Sequence, residues 1–250
     1  LNNIFPGKAT RKAAGVNTGI QFVLAQYNPA GELMDEPGIN RVTVEEVTEG
    51  TPPDKYHRFL SQNNAIWPHE KYLNIWLMSE TKYPKFWNSI TKLCVPKYRL
   101  GSETLPGLSL PPVPSTWVPK VEQIGILFRM STFQYFQRSI DATAERELVT
   151  CIGNYLGLLD TWKINNSNVN DQCNDTFAYG IVNNNGSLGT NSSWSKEVGS
   201  YRFLSENIMD DPTGTHRSVS KDQALRMYWV LKNCAGRSMW QSDFALTGKE

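Results

Sequence analysis

Thr150-Cys151-Ile152-Gly153-Asn154-Tyr155-Leu156-Gly157-Leu158-Leu159-Asp160-Thr161-Trp162 is the stretch that decides the fold of this 250-residue chain. Leu148, Ile152, Leu156 and Leu159 recur at one-turn spacing, so the segment reads as an amphipathic helix with a single apolar stripe. Thr143 can cap its start, and Glu145 and Glu147 fall in the first turn, where the positive end of the helix dipole favours carboxylates. Gly157 offers a natural C-terminal stop.

Downstream, the composition shifts to Asn, Ser and Gly, with Asn183-Asn184-Asn185-Gly186 as its extreme, which predicts a loop-rich second half with little regular structure. Four N-x-S/T sequons there (Asn165, Asn174, Asn185, Asn191) carry little weight, since so many asparagines beside hydroxyl residues produce such triplets by chance. Asn207-Ile208-Met209-Asp210 reads as a turn. A last helix is marked by the capping box Ser220-x-x-Gln223, the apolar set Ala224, Leu225, Tyr228 and Leu231, and a stop at Asn233 to Gly236.

Upstream, Ile20 to Tyr27 alternates as a strand does and is stopped by the turn Asn28-Pro29-Ala30-Gly31. Arg41 to Val47 suits a half-exposed strand. Thr51-Pro52-Pro53-Asp54 opens a predicted helix to about Asn64, with Tyr56, Phe59, Leu60 and Asn63 on its buried face. Tyr72 to Met78 is apolar almost throughout, as expected of a central strand covered on both faces, and strand-helix-strand order implies parallel neighbours. Five prolines between Leu105 and Pro119 predict an irregular extended loop. Ile124 to Met130 returns to strand character.

Composition bounds the function. Hydrophobic residues at 40% and charged residues at 20% exclude a disordered chain or a coiled coil. With 25 Lys+Arg against 24 Asp+Glu there is no basic surplus to neutralise a run of phosphates, so nucleic acid is not an expected partner. No apolar run reaches the roughly 18 residues that a membrane span needs. The chain begins at Leu1 rather than Met, so an N-terminal piece is expected to have been removed, which leaves a signal peptide open. Cys94, Cys151, Cys173 and Cys234 lack C-x-x-C spacing and leave disulfide pairing open.

Taken together, these segments resemble the pappalysin (cytophagalysin) family of metzincin zinc peptidases, from about residue 18 to 235. The family's signature is H-E-x-G-H-x-L-G-L-x-H-T-W, and Gly153, Leu156, Gly157, Leu158, Thr161 and Trp162 match it without a gap. Asn207-Ile208-Met209-Asp210 resembles the family's Met-turn, and Lys221 to Met227 the helix after it. Ile20 to Ala25 with Gly38 to Arg41, and Lys71 to Trp76, resemble its strands. Cys173-Asn174-Asp175-Thr176 resembles the segment in which the family often places a disulfide. In such a site two histidines on one helical face and a third after a glycine reversal hold zinc, while a glutamate polarises the bound water.

All four of those positions differ here. Thr150, Asn154 and Asp160 replace the ligands, and Cys151 replaces the general base. The chain has three histidines, His57, His69 and His216, and no two stand four apart, so a three-histidine helix site cannot form. One carboxylate and two neutral oxygens make a weak set even for calcium or magnesium, so no metal and no other cofactor is expected. Cys151 would act as a nucleophile only beside a histidine or cation that lowers its pKa; a buried inert thiol is the plainer reading. Asn154 and Asp160 should bond to each other, to water or to backbone.

The resemblance implies one α+β domain over residues 1–250 with the metzincin (zincin-like) fold: a twisted mixed sheet with packed helices to about Leu158, above a loop-rich lower part from residue 159 across a cleft. Gly157 and Met209 are its structural landmarks, and methionine fills irregular space well. The expected activity is that of a pseudopeptidase, a non-catalytic homologue that binds an extended peptide or protein segment, with the edge strand Ile124 to Met130 pairing to it. Two alternatives stay open: an active hydrolase using another metal or Cys151, and a surface adhesin that binds glycans with some of its eight tryptophans. The family also implies a secreted or cell-envelope location, a lipid anchor upstream of Leu1, and a Cys173 to Cys234 disulfide.

Overall fold

The structure, a computed structural model, describes residue 5 and residues 15–42, 60–78, 125–129, 143–164, 169–181, 195–198, 201–211, 216–233 and 237–249. The chain forms two compact units. One comprises Leu1–Phe22, Pro96–Val113 and Ala142–Val230, the other Val23–Val95, Pro114–Asp141 and Leu231–Glu250.

The second unit contains β1 (Ile75–Met78) and β2 (Ile126–Arg129), paired in parallel with Ile75 opposite Ile126. Leu60, Ala65 and Trp76 form a small core with Ile66 packed against it, and the Trp76 indole donates to the Ala65 carbonyl at 2.9 Å. Contrary to expectation, β1 starts only at Ile75 and is covered on one face: Trp76 is buried, whereas Ile75 and Leu77 are exposed. Ahead of the strand the Asn74 carbonyl still accepts from the Ile126 N–H at 2.8 Å, and the side chains of Tyr72 and Asn74 hold other segments. The Asn74 amide accepts from the Trp67 N–H at 3.0 Å and donates to its carbonyl at 2.8 Å, and the Tyr72 hydroxyl donates to the Tyr27 carbonyl at 2.9 Å.

Residues 20–26 also depart from the sequence pattern, since they form no strand. Pairing is limited to one antiparallel bridge, Tyr27 with Leu33, because the Gln26 and Tyr27 N–H groups both donate to the Ala245 carbonyl, at 2.6 and 3.1 Å. Between the bridged residues the expected turn is present. Asn28 Oδ1 accepts from the Ala30 and Glu32 N–H groups at 2.9 and 3.0 Å, and Gly31 adopts φ 78. Of the helix expected from Thr51, the described part is its last turn, 60–62, with Leu60 buried. Asn63 is exposed instead of lying on the buried face, because the chain has left the helix and reverses at Asn64 (φ 53). Arg41 to Val47 beyond Val42 and the proline-rich 105–119 lie outside the described residues. Past the last helix a 3-10 turn (Ser238–Gln241) is followed by a short helix, Phe244–Thr247.

The first unit is built around helix α1, Thr143–Tyr155, of which Thr143 is the first residue and not the cap. Val149, Ile152, Tyr155, Leu156 and Leu158 are buried; the expected stripe members Leu148 and Leu159 are half-buried. Gly157 (φ 90) reverses the chain, with the Gly157 N–H donating to Asn154 and the Leu158 N–H to Gly153, both at 2.9 Å. Such a left-handed residue closes a helix because glycine has no Cβ to clash there.

The part expected to lack regular structure contains four short strands. β3 (Trp162–Ile164) pairs in parallel with β4 (Tyr179–Ile181), and β5 (Ser195–Val198) pairs antiparallel with β6 (Tyr201–Leu204). Segments of three or four residues are too short for alternation to register against an Asn-rich background.

Helix α2 (Lys221–Asn233) opens with the expected capping box: the Gln223 N–H donates to Ser220 Oγ at 3.2 Å and Gln223 Oε1 accepts from the Ser220 N–H at 3.0 Å. Its buried face differs from the expected one. Gln223, Ala224, Arg226, Met227, Trp229 and Val230 are buried, while Leu225 and Tyr228 are exposed at 44% and 48%. Two polar side chains set this rotation, because Gln223 and Arg226 find hydrogen bonds in the interior and carry their side of the helix inward.

Candidate functional site

The turn Asn207 to Asp210 lies directly beneath α1. Ile208 and Met209 are fully buried, and a Cβ added to Gly153 would stand 2.6 Å from Met209 Sδ, closer than real Cβ contacts come. Glycine at 153 is therefore what allows the helix to rest on the methionine. The turn is pinned from both sides. Asn207 Oδ1 accepts from the Met209 N–H at 2.9 Å, and the Asn207 and Gln223 amides exchange two hydrogen bonds at 2.8 and 2.9 Å. The Thr161 N–H donates to the Met209 carbonyl at 3.1 Å and its hydroxyl to Asp210 Oδ1 at 3.0 Å, so the chain leaving the Gly157 reversal is fastened to the same turn.

Thr150, Cys151, Asn154 and Asp160 differ in surroundings. The Thr150 hydroxyl, half-buried, donates to the Ile208 carbonyl at 2.8 Å. Asn154, 8% exposed, donates through Nδ2 to the Thr150 carbonyl at 3.2 Å, as the expectation of a backbone partner had it, while its Oδ1 accepts no hydrogen bond among the described residues. Cys151 is buried at 2% exposure, on the core side of the helix, and Asp160 is half-buried.

His216 is the site residue that sequence spacing misses. Its backbone is left-handed (φ 48) and its ring is buried, with Nδ1 3.1 Å from Thr150 Oγ1 and 3.4 Å from the Arg146 carbonyl, and Nε2 3.0 Å from the Asp211 carbonyl. It arrives from a loop 66 residues downstream of Thr150, where no periodicity points to it. Nearby, the Tyr179 hydroxyl donates to Asp211 Oδ2 at 2.7 Å; burial, and then the charges of Asp210 and Asp211, push its ionisation far above the ordinary tyrosine value.

A second polar cluster joins residues 171–176 to α2. Asp175 accepts from the Ser220 hydroxyl at 2.6 Å and the Asp222 N–H at 2.9 Å, which places a carboxylate at the positive end of the helix. Buried Arg226 donates through Nε to the Gly157 carbonyl and through Nη1 to Gln172 Oε1 at 3.3 Å. Asp171 is buried, and that burial raises its carboxyl above the ordinary value although the Thr176 hydroxyl and Arg226 pull the other way. Cys173 is a buried free thiol; burial, with Asp171 second, raises its pKa well above the usual thiol range. Cys94 and Cys234 lie outside the described residues. His69, in the second unit, stands 3.0 Å from Glu70, and His57 lies outside the described residues.

Zinc is bound by imidazole nitrogen, thiolate and carboxylate. Thr150, Asn154 and Asp160 supply a hydroxyl whose proton is already committed to Ile208, an amide oxygen and one carboxylate, and Cys151 is no proton acceptor for a metal-bound water. These residues do not fit a catalytic zinc. Among the described residues no three His, Cys, Asp or Glu side chains are grouped as a metal site.

Helix, glycine reversal and buried methionine turn define a metzincin-like fold. Solved structures of mirolysin, a metzincin-type metallopeptidase, share it. Mature mirolysin of Tannerella forsythia in complex with a cleaved peptide superposes with TM-score 0.59 at 20% identity, covering 98% of this chain and 87% of that one. Mirolysin in complex with compound 9 gives 0.57 at 18% identity, covering 95% and 80%. No family model and no curated protein matches the chain. Among the described residues no helix is long and apolar enough to cross a membrane.

Proposed function

We propose that the chain is a degenerate pappalysin-type metzincin, a pseudopeptidase that binds an extended peptide without cleaving it. One observation carries this reading: the support of the site is intact, with Met209 seated under Gly153, while the positions that would hold and activate water have become Thr150, Cys151, Asn154 and Asp160. Peptide as the ligand is supported by the fold shared with mirolysin, whose solved complex contains a cleaved peptide. β2 pairs with β1 and with no other strand among the described residues, and pairing along such an edge gives main-chain affinity with little demand on sequence.

A thiol mechanism is not favoured, because Cys151 is 2% exposed. Of the described tryptophans, Trp67 and Trp162 are half-buried and Trp76 and Trp229 buried; Trp240 is exposed and its indole donates to the Leu231 carbonyl at 3.0 Å, which offers no aromatic groove for sugars. A secreted or cell-envelope location and a lipid anchor belong to the same proposal; the Cys173 to Cys234 disulfide does not, since Cys173 is a free thiol. The test is a labelled peptide library scored twice, by fluorescence polarisation for binding and by mass spectrometry for cleavage, with and without added zinc. Binding with every peptide intact is the expected result; cleavage abolished by EDTA would overturn it.

A further inference from the structure

Metal sites of the kind this helix resembles do structural work too, since an ion ties a helix to a loop. Here the same helix is tied to the methionine turn without an ion. Three strands of chain meet at the His216 ring: α1 through Thr150 Oγ1 and the Arg146 carbonyl, the turn through Asp211, and the His216 segment itself. Because the Thr150 proton goes to the Ile208 carbonyl, Nδ1 carries the proton of the ring contact and donates to Thr150 Oγ1, while Nε2 faces the Asp211 carbonyl. The Thr150 hydroxyl thus donates to the Ile208 carbonyl at 2.8 Å and accepts from Nδ1 at 3.1 Å, both partners belonging to the turn side. The residue at the first zinc-ligand position has thus changed from a group that needs a metal to one that bonds protein directly.

We propose that the Thr150 hydroxyl and the His216 imidazole form a latch that replaces zinc as the cross-link between α1 and the loop after Met209, so that this first unit holds its site in shape with no metal. His216 is a positioning residue in this proposal: it acts on the helix through Thr150. The inference rests on the loss of the zinc ligands but not on peptide binding. Burial of the ring makes the latch strong, since a polar group left without its partner there costs more than the bond itself is worth.

The test is thermal unfolding of the full chain in a double-mutant cycle, with zinc chloride and EDTA arms. Thr150→Val keeps the shape and removes the hydroxyl, Thr150→Ser keeps the hydroxyl, and His216→Asn removes the ring with a residue that tolerates the left-handed backbone at φ 48. Thr150→Val should lower Tm by about 3 to 8 °C in the parent, by about half that or less in the His216→Asn background, and Thr150→Ser should recover most of the loss. Neither zinc chloride nor EDTA should move the parent Tm. An equal drop from Thr150→Val in both backgrounds would refute the latch while leaving the degenerate site standing. A Tm raised by stoichiometric zinc would refute both.

Discussion

At the residue scale, Gly153 and Met209 show how one contact can decide a substitution. Gly153→Ala gains about 1 kcal/mol of helix propensity but forces a methyl to 2.6 Å from a sulphur that is fully buried and has little room to yield. Overpacking costs about 1 to 3 kcal/mol, so the net effect is a loss of about 1 kcal/mol. In a Met209→Ala background, with the sulphur gone, the same substitution should become stabilising. Urea unfolding of the four proteins checks the change of sign.

Asp171 gives a pH prediction. Its folded pKa lies above its unfolded value because burial disfavours the carboxylate. Between those two values the folded state holds more protons than the unfolded one, so stability falls as pH rises through that interval. Asp171→Asn should flatten the slope of unfolding free energy on the alkaline side of about pH 4, measured by urea titration at successive pH values. Tyr179 behaves alike at the other end of the scale. Its folded value is raised, so its contribution is lost once the unfolded tyrosine ionises above about pH 10, and Tyr179→Phe should remove that alkaline sensitivity.

At the scale of elements, α1, the Gly157 reversal and the start of α2 were legible because each has a local signal: one-turn spacing, a glycine where the backbone must turn left-handed, and a capping box. What escaped was set from a distance. Leu225 and Tyr228 match an apolar stripe, yet α2 turns its Gln223 and Arg226 side inward because Asn207 and Gly157 wait there to be hydrogen-bonded. Residues 20–26 alternate in sequence, yet Leu24 is exposed and the last donors, the Gln26 and Tyr27 N–H groups, go to Ala245. Of the candidate site, the helix that carries Thr150 and Asn154 was readable from its own residues, whereas His216 was not, since a contact spanning 66 residues leaves no local pattern. The α2 start carries its own prediction. Ser220→Ala removes an N-cap and also a donor to Asp175, and should cost about 1 to 2 kcal/mol, with circular dichroism separating helix fraying from global unfolding.

For the molecule as a whole, the expected functional consequence is binding without turnover. If the scaffold geometry survives, restoring Thr150→His, Cys151→Glu, Asn154→His and Asp160→His together should return about one bound zinc per chain by elemental analysis, where the parent retains none after dialysis. Failure of the quadruple variant to bind zinc while remaining folded would mean that the backbone has drifted from the ancestral arrangement.

The first unit is stitched together from widely separated parts of the sequence. The Thr18 carbonyl accepts from the Tyr228 hydroxyl, the Val16 N–H donates to the Val219 carbonyl at 3.0 Å, and Phe5 packs edge-on to Phe22. During synthesis, residues 15–22 leave the ribosome some two hundred codons before the surfaces that receive them exist. Nascent chains stalled short of α2 should therefore keep this early segment open to limited proteolysis, and no contiguous fragment cut from the middle can be expected to mature by itself.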